Sequence, residues 1–181
     1  VYEGFLELGA ASVHIAEGPG HRRNTMDMAE AAGYFETVPK FDDVFTDLNL
    51  DDVTRIRPPR QFSRFGKLYL PNTALRADLL VSMPKMKTHH WAGATLSMKN
   101  LFGVVPGGVY GWPKNALHWA GIHECIADLH ALFPRQFAIV DGIVAMEGNG
   151  PIQGTQKHLG ILVAGSDPVA VDATCCRVMQ I

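Results

Sequence analysis

ADLLVSMPKMKTHHWAGATLSMKNLFG, residues 77–103, decides how this chain is read. Its first part is a short continuous apolar run, the pattern of a strand buried on both faces. Lys85, Lys87, Thr88, His89 and His90 follow at once, with Lys99 and Asn100 further along. The small residues of WAGATLS then lead into a predicted helix, ATLSMKNLFGV. A buried strand that ends in charge and enters a helix is the layout of an open α/β sheet. Ligands bind there beyond the carboxyl ends of the strands, where helix starts point free N–H groups.

Working outward, QFAIVDG and HLGILVAG read as two further apolar strands, and SVHIAEGPG as a strand running into a Gly/Pro turn. TMDMAEAAGY reads as a short amphipathic helix with Thr25 as N-cap. NALHWAGIHECIADLHALF reads as one long helix stopped by Pro134, and DPVAVDATCCRVM as a helix with Asp167 at the N-cap and Pro168 at N1. Between residues 41 and 70, VFTDLNL, VTRIR and KLYL are short strand candidates around the link RPPRQFSRFG, an expected antiparallel excursion. The predicted fold is α/β, with a mainly parallel central sheet and helices on both faces, in a single domain over residues 1–181. VYEGFLELGA at the start and the helical run at the end look cut from a longer chain.

A length of 181 residues, 47% apolar, suits one ordinary core, and a formal charge of -2 gives no pull toward nucleic acid. No apolar run reaches the roughly 18 residues of a membrane span. Cys125, Cys175 and Cys176 form no C-x-x-C, so neither a disulfide framework nor a local zinc or iron–sulfur site is spelled, and a cytoplasmic, reducing setting is expected. Cys175 and Cys176, inside a helix, read as packing residues.

Three ordered blocks, PKMKTHHWAGATLSMKNLFG, VDGIVAMEGNGP and GILVAGSDPVAVDATCCRVM, resemble the family catalogued as domain of unknown function 362. Its members often occur beside ferredoxin-type iron–sulfur domains. The resemblance implies a ferredoxin-type domain or protein as partner. Because these residues lack the ferredoxin cysteine pattern, any iron–sulfur cluster would sit in a missing part of the chain or in that partner.

The candidate site gathers the polar residues of the expected rim. Lys85, Lys87, Thr88, Lys99, Asn100 and Asn149 are read as binding an anionic small molecule or cofactor, the lysines pairing with phosphate or carboxylate oxygens. No G-x-x-x-x-G-K-[ST] or G-x-G-x-x-G is present, which removes a nucleoside triphosphate or dinucleotide. His89 and His90, Glu147 and Asp172 are the catalytic candidates. Histidine titrates near neutral pH, although adjacent histidines on an extended segment point to opposite sides. Asp141 and Glu147, with one of the two histidines, are the candidate ligands of a divalent metal. EGNGP is read as a loop whose backbone stays open to close ligand approach. Asp167 is accounted for by capping, whereas Asp172, among apolar helical neighbours, calls for a lysine or a metal as partner. His118, His123 and His130 read as surface or packed residues without H-E-x-x-H spacing. Two functions fit: an enzyme domain performing acid/base or redox-coupled chemistry on a bound anion, or a scaffold module that docks an iron–sulfur electron-transfer domain.

Overall fold

The computed structural model describes residues 1–20 and 23–181. Among them the strands are β1 Ile15–Glu17, β2 Phe45–Asp47, β3 Val53–Ile56, β4 Leu68–Pro71, β5 Leu80–Ser82, β6 Lys85–His89, β7 Gly93–Thr95, β8 Gln136–Asn149 and β9 Gln153–Gly165. β8 is the spine of a five-stranded sheet. Along one edge it pairs antiparallel with β9, from Ala138 opposite Gly165 to Asn149 opposite Gln153. Along the other edge β5 and then β6 run parallel to it, separated by Met83 and Pro84, and β7 folds back antiparallel on β6.

The sheet is therefore mixed, and its longest pairing is antiparallel, which corrects the expected mainly parallel sheet. The reason lies in chain length. Only residues 150–152 separate β8 from β9, far fewer than the dozen or so that a parallel crossover needs. Ala138 and Val140 of β8 pack with Met86, Leu96, Val171 and Cys175 under the helix Pro168–Met179. Leu162 of β9, on the opposite face, is 60% exposed.

The expected antiparallel excursion between residues 41 and 70 holds only in part: β3 pairs antiparallel with β4, but β2 lies parallel to β1, and both pairs form small sheets separate from the five-stranded one. Their apolar side chains join a second core, in which Leu48, Leu68 and Leu70 meet Leu101, Val105, Leu117, Cys125 and Leu129. The long predicted helix is broken into Ala116–Trp119 and Ile122–Leu132. Gly121 between them has φ +112, a conformation that L side chains rarely adopt. The helix near residue 25 is capped one residue earlier than expected, since Asn24 Oδ1 accepts the N–H groups of Met26 and Asp27. ATLSMKNLFGV divides into β7, the short helix Ser97–Asn100 and a 3-10 turn, Leu101–Val104. That division sets the direction of Lys99.

Candidate functional site

Strand periodicity sorts the residues of β6. Met86 is fully buried against the helix Pro168–Met179, and Thr88 shares its side of the strand. Lys87 and His89 face the other way, toward the helix Ser97–Asn100 and the helix Ala116–Trp119. Lys99 is only 9% exposed, with its Nζ 3.7 Å from the centre of the Phe102 ring. Among the described residues no carboxylate lies within 4 Å of Lys87 or Lys99. Burial, then the charge of Lys87, pushes the Lys99 ammonium down to about 8. Burial lowers Lys87 as well, and Glu17 opposes that effect from beyond ion-pair distance. Lys99 is thus a poorly solvated ammonium that also feels the charge of Lys87, an arrangement that costs free energy unless an anion joins them.

His89 belongs to the same centre. It is 7% exposed, and its Nδ1 accepts the backbone N–H groups of Trp91 at 3.0 Å and Ala92 at 3.2 Å. Nδ1 is therefore the unprotonated nitrogen, and Nε2 carries the hydrogen. Burial, followed by Lys99, His90, His118 and Lys87, drives its pKa to about 4. His90, exposed, stacks on it at 5.1 Å and places Nδ1 3.0 Å from the Gly150 carbonyl. His118 completes the wall, 6.1 Å from the His89 ring and 5.1 Å edge-on to Phe102. Burial and the Lys99 charge lower its pKa too.

The other predicted site residues are engaged elsewhere. Lys85 forms an ion pair of 2.5 Å with Asp141, which holds that carboxyl below its ordinary value. The second oxygen of Asp141 accepts the Ile143 N–H where β8 is irregular. Glu147 pairs across the hairpin with Lys157 at 3.0 Å. Asn149 is exposed at the end of β8, and Asn100 donates to Ser82 Oγ at 3.2 Å. Thr88 Oγ1 donates to the Gly148 carbonyl. Asp172 meets no lysine: its carboxylate accepts Ser97 N–H at 2.8 Å, Ser97 Oγ at 2.5 Å and Met98 N–H at 3.0 Å. It caps the helix that carries Lys99. Asp167 caps its own helix as expected. The structure does not bring Asp141 and Glu147 to the histidines, and no group of three His, Cys, Asp or Glu side chains among the described residues is placed to share a metal ion.

The EGNGP segment is closed rather than open. A Cβ on Gly150 would lie 1.9 Å from the Thr88 carbonyl oxygen, so the close approach that requires glycine is made by β6 itself. The expected rim is split in the same way. Gly165 lies opposite Ala138, so Asp167 emerges at the end of the sheet away from the hairpin tip.

The chain matches the family described as Domain of unknown function (DUF362) over residues 1–177. It belongs to the DUF362 family. A similar protein is the "Thylakoid-associated protein sll1697" of Synechocystis sp. (strain ATCC 27184 / PCC 6803 / Kazusa), 34% identical over 122 residues. Those residues are 65% of this chain and 37% of that protein, so the chain spans little more than a third of the relative's length. No solved structure matches the chain. No helix among the described residues of this DUF362 chain is long and apolar enough to cross a membrane.

Two residues of the centre escaped the reading of the DUF362 sequence. His118 was one of three histidines in a helical stretch, and nothing in the spacing separates it from His123 or His130. Lys114 is a lone lysine in a turn, yet it is 5% exposed, with φ +65. Its Nζ donates to the Gly18 carbonyl at 2.6 Å and reaches the Gly103 carbonyl at 3.5 Å. Burial lowers its pKa to about 8, against the charges of Glu17 and Asp47. Lys114 thereby ties the turn after β1 to the segment beside Lys99.

Proposed function

We propose that this domain binds an anionic small molecule between β6 and the helix Ser97–Asn100, with Lys87 and Lys99 as its cationic contacts. The observation that carries the reading is the pair of lysines itself: one buried and one half-buried, mutually repelling, with no carboxylate in ion-pair reach among the described residues. Surface lysines keep their water, whereas these have lost much of it. An anion would restore the lost interaction as charge-assisted hydrogen bonds. Lys99, lowered to about 8 by burial and the charge of Lys87, would regain its proton as the anion binds, so binding above that pH is coupled to proton uptake. The same reading takes residues 1–181 as one domain in a cytoplasmic, reducing setting, which suits three free cysteines.

Calorimetric titration with small phosphates, sulfate and carboxylates tests it. The parent should bind at least one of these, and more weakly as salt is raised. Lys87→Met and Lys99→Met should each lose roughly 1.5–3 kcal/mol of binding free energy, the range for a hydrogen bond to a charged group. Equal titrations for parent and both variants would remove the proposal.

A further inference from the structure

We propose that the ligand of this site is a doubly charged oxyanion of the phosphate-monoester or sulfate type, and that neutral His89 is its third donor beside Lys87 and Lys99. The inference rests on the anion-binding reading above and adds the charge of the ligand and the protonation state of the residue that meets it.

The tautomer follows from the backbone. Protonating Nδ1 of His89 would evict the Trp91 and Ala92 N–H groups from their acceptor, inside a side chain more than nine-tenths buried. The titratable groups that face the ring discourage an imidazolium as well. They are Lys87 on its own strand, Lys99 on the helix Ser97–Asn100, neighbouring His90, and His118 on the helix Ala116–Trp119, with no carboxylate among them. His89 therefore offers one fixed donor, Nε2–H, which is not sealed from solvent and so is free to meet a ligand.

The ligand charge follows from the lysines. A monoanion between Lys87 and Lys99 would leave one ammonium uncompensated in a poorly solvated place, whereas a dianion neutralises both. Glu17 acts on Lys87 and Lys114 through its charge but forms an ion pair with neither. Lys114 is committed to carbonyl oxygens. Two ammonium groups and one neutral N–H match the several acceptor oxygens of a tetrahedral oxyanion better than the two of a carboxylate.

Titrations of the purified protein with sulfate, methyl phosphate and acetate between pH 5 and 9 test the proposal. Sulfate stays doubly charged throughout and should bind about tenfold or more tightly than acetate. Its affinity should be level from pH 5 to 7 and fall as pH rises through about 8, where Lys99 loses its proton. Methyl phosphate should in addition weaken below about pH 6, as it loses its second charge. His89→Asn keeps an acceptor for the two backbone N–H groups and deletes the outer donor. It should melt like the parent and bind sulfate about tenfold or more weakly, while His89→Gln, with an amide N–H near the Nε2 position, should retain most of the affinity. Sulfate affinity that climbs from pH 7 to 5, acetate that binds as tightly as sulfate, or a His89→Asn protein that binds like the parent would each overturn this inference and leave the anion-binding reading standing. Failure of all three anions to bind would overturn both.

Discussion

At the scale of single residues, the molecule stores a conflict at Lys99. Its ammonium is buried over the Phe102 ring and repelled by Lys87. The consequence for stability has a definite sign. The folded-state pKa, about 8, lies below the unfolded value near 10.5, so between those values the unfolded chain holds more protons and stability rises with pH. Lys114, also lowered to about 8, contributes in the same direction. Urea denaturation of the ligand-free protein should therefore show increasing stability from pH 8 to about 9, above which the raised thiols of Cys125, Cys175 and Cys176 oppose the gain. Lys99→Met should remove part of that slope and raise stability at pH 7 by about 2 kcal/mol, because a buried charge is replaced by an apolar chain of similar length. Identical slopes in parent and variant would mean that the Lys99 ammonium is solvated. Such a gain, coupled to loss of anion binding, is the signature of a residue kept for function.

At the scale of elements, short pieces hold one another in position. The helix Ser97–Asn100 has too few residues to be stable alone, and its first N–H groups are satisfied from another helix, by Asp172. Asp172→Ala should cost about 2 kcal/mol in chemical denaturation, the upper range for a lost cap. Asp172→Asn, which keeps one acceptor oxygen, should recover a good part of it. A fully stable alanine variant would show that the helix start finds water instead. The hairpin tip is set by a different constraint. Gly150→Ala would drive a methyl group into the Thr88 carbonyl, displacing the end of β6 and with it His89 and His90, so reduced anion affinity should accompany reduced stability.

At the scale of the whole molecule, the two cores and three sheets among the described residues are joined by buried polar groups. Asp128, fully buried in the helix Ile122–Leu132, accepts the N–H groups of Phe62 and Ser63 at 2.7 and 3.0 Å and so anchors the link between β3 and β4. Asp128→Ala would strand both donors, and a loss of about 3 kcal/mol is expected in urea denaturation. An unchanged midpoint would assign the anchoring to the surrounding apolar contacts. The sequence by itself determined the alternation of strands and helices, the capping Asp167 and the family, because periodicity, caps and ordered motif blocks are local signals. The antiparallel pairing of β8 and β9 was not legible, because QFAIVDG and HLGILVAG read as short strands far enough apart for a crossover, and only the structure extends both to a three-residue link after Asn149. Only the tertiary structure decided which charges meet. Lys85, Asp141, Glu147 and Asp172 are each matched by a partner distant in sequence or across a strand pair, and Lys87, Lys99, His89 and His118 are left facing one another. The physical reason is that a side chain's charge is satisfied or left unsatisfied by whatever packing brings within a few ångströms. A one-residue alternation along β6 was enough to separate Lys87 and His89 from Thr88.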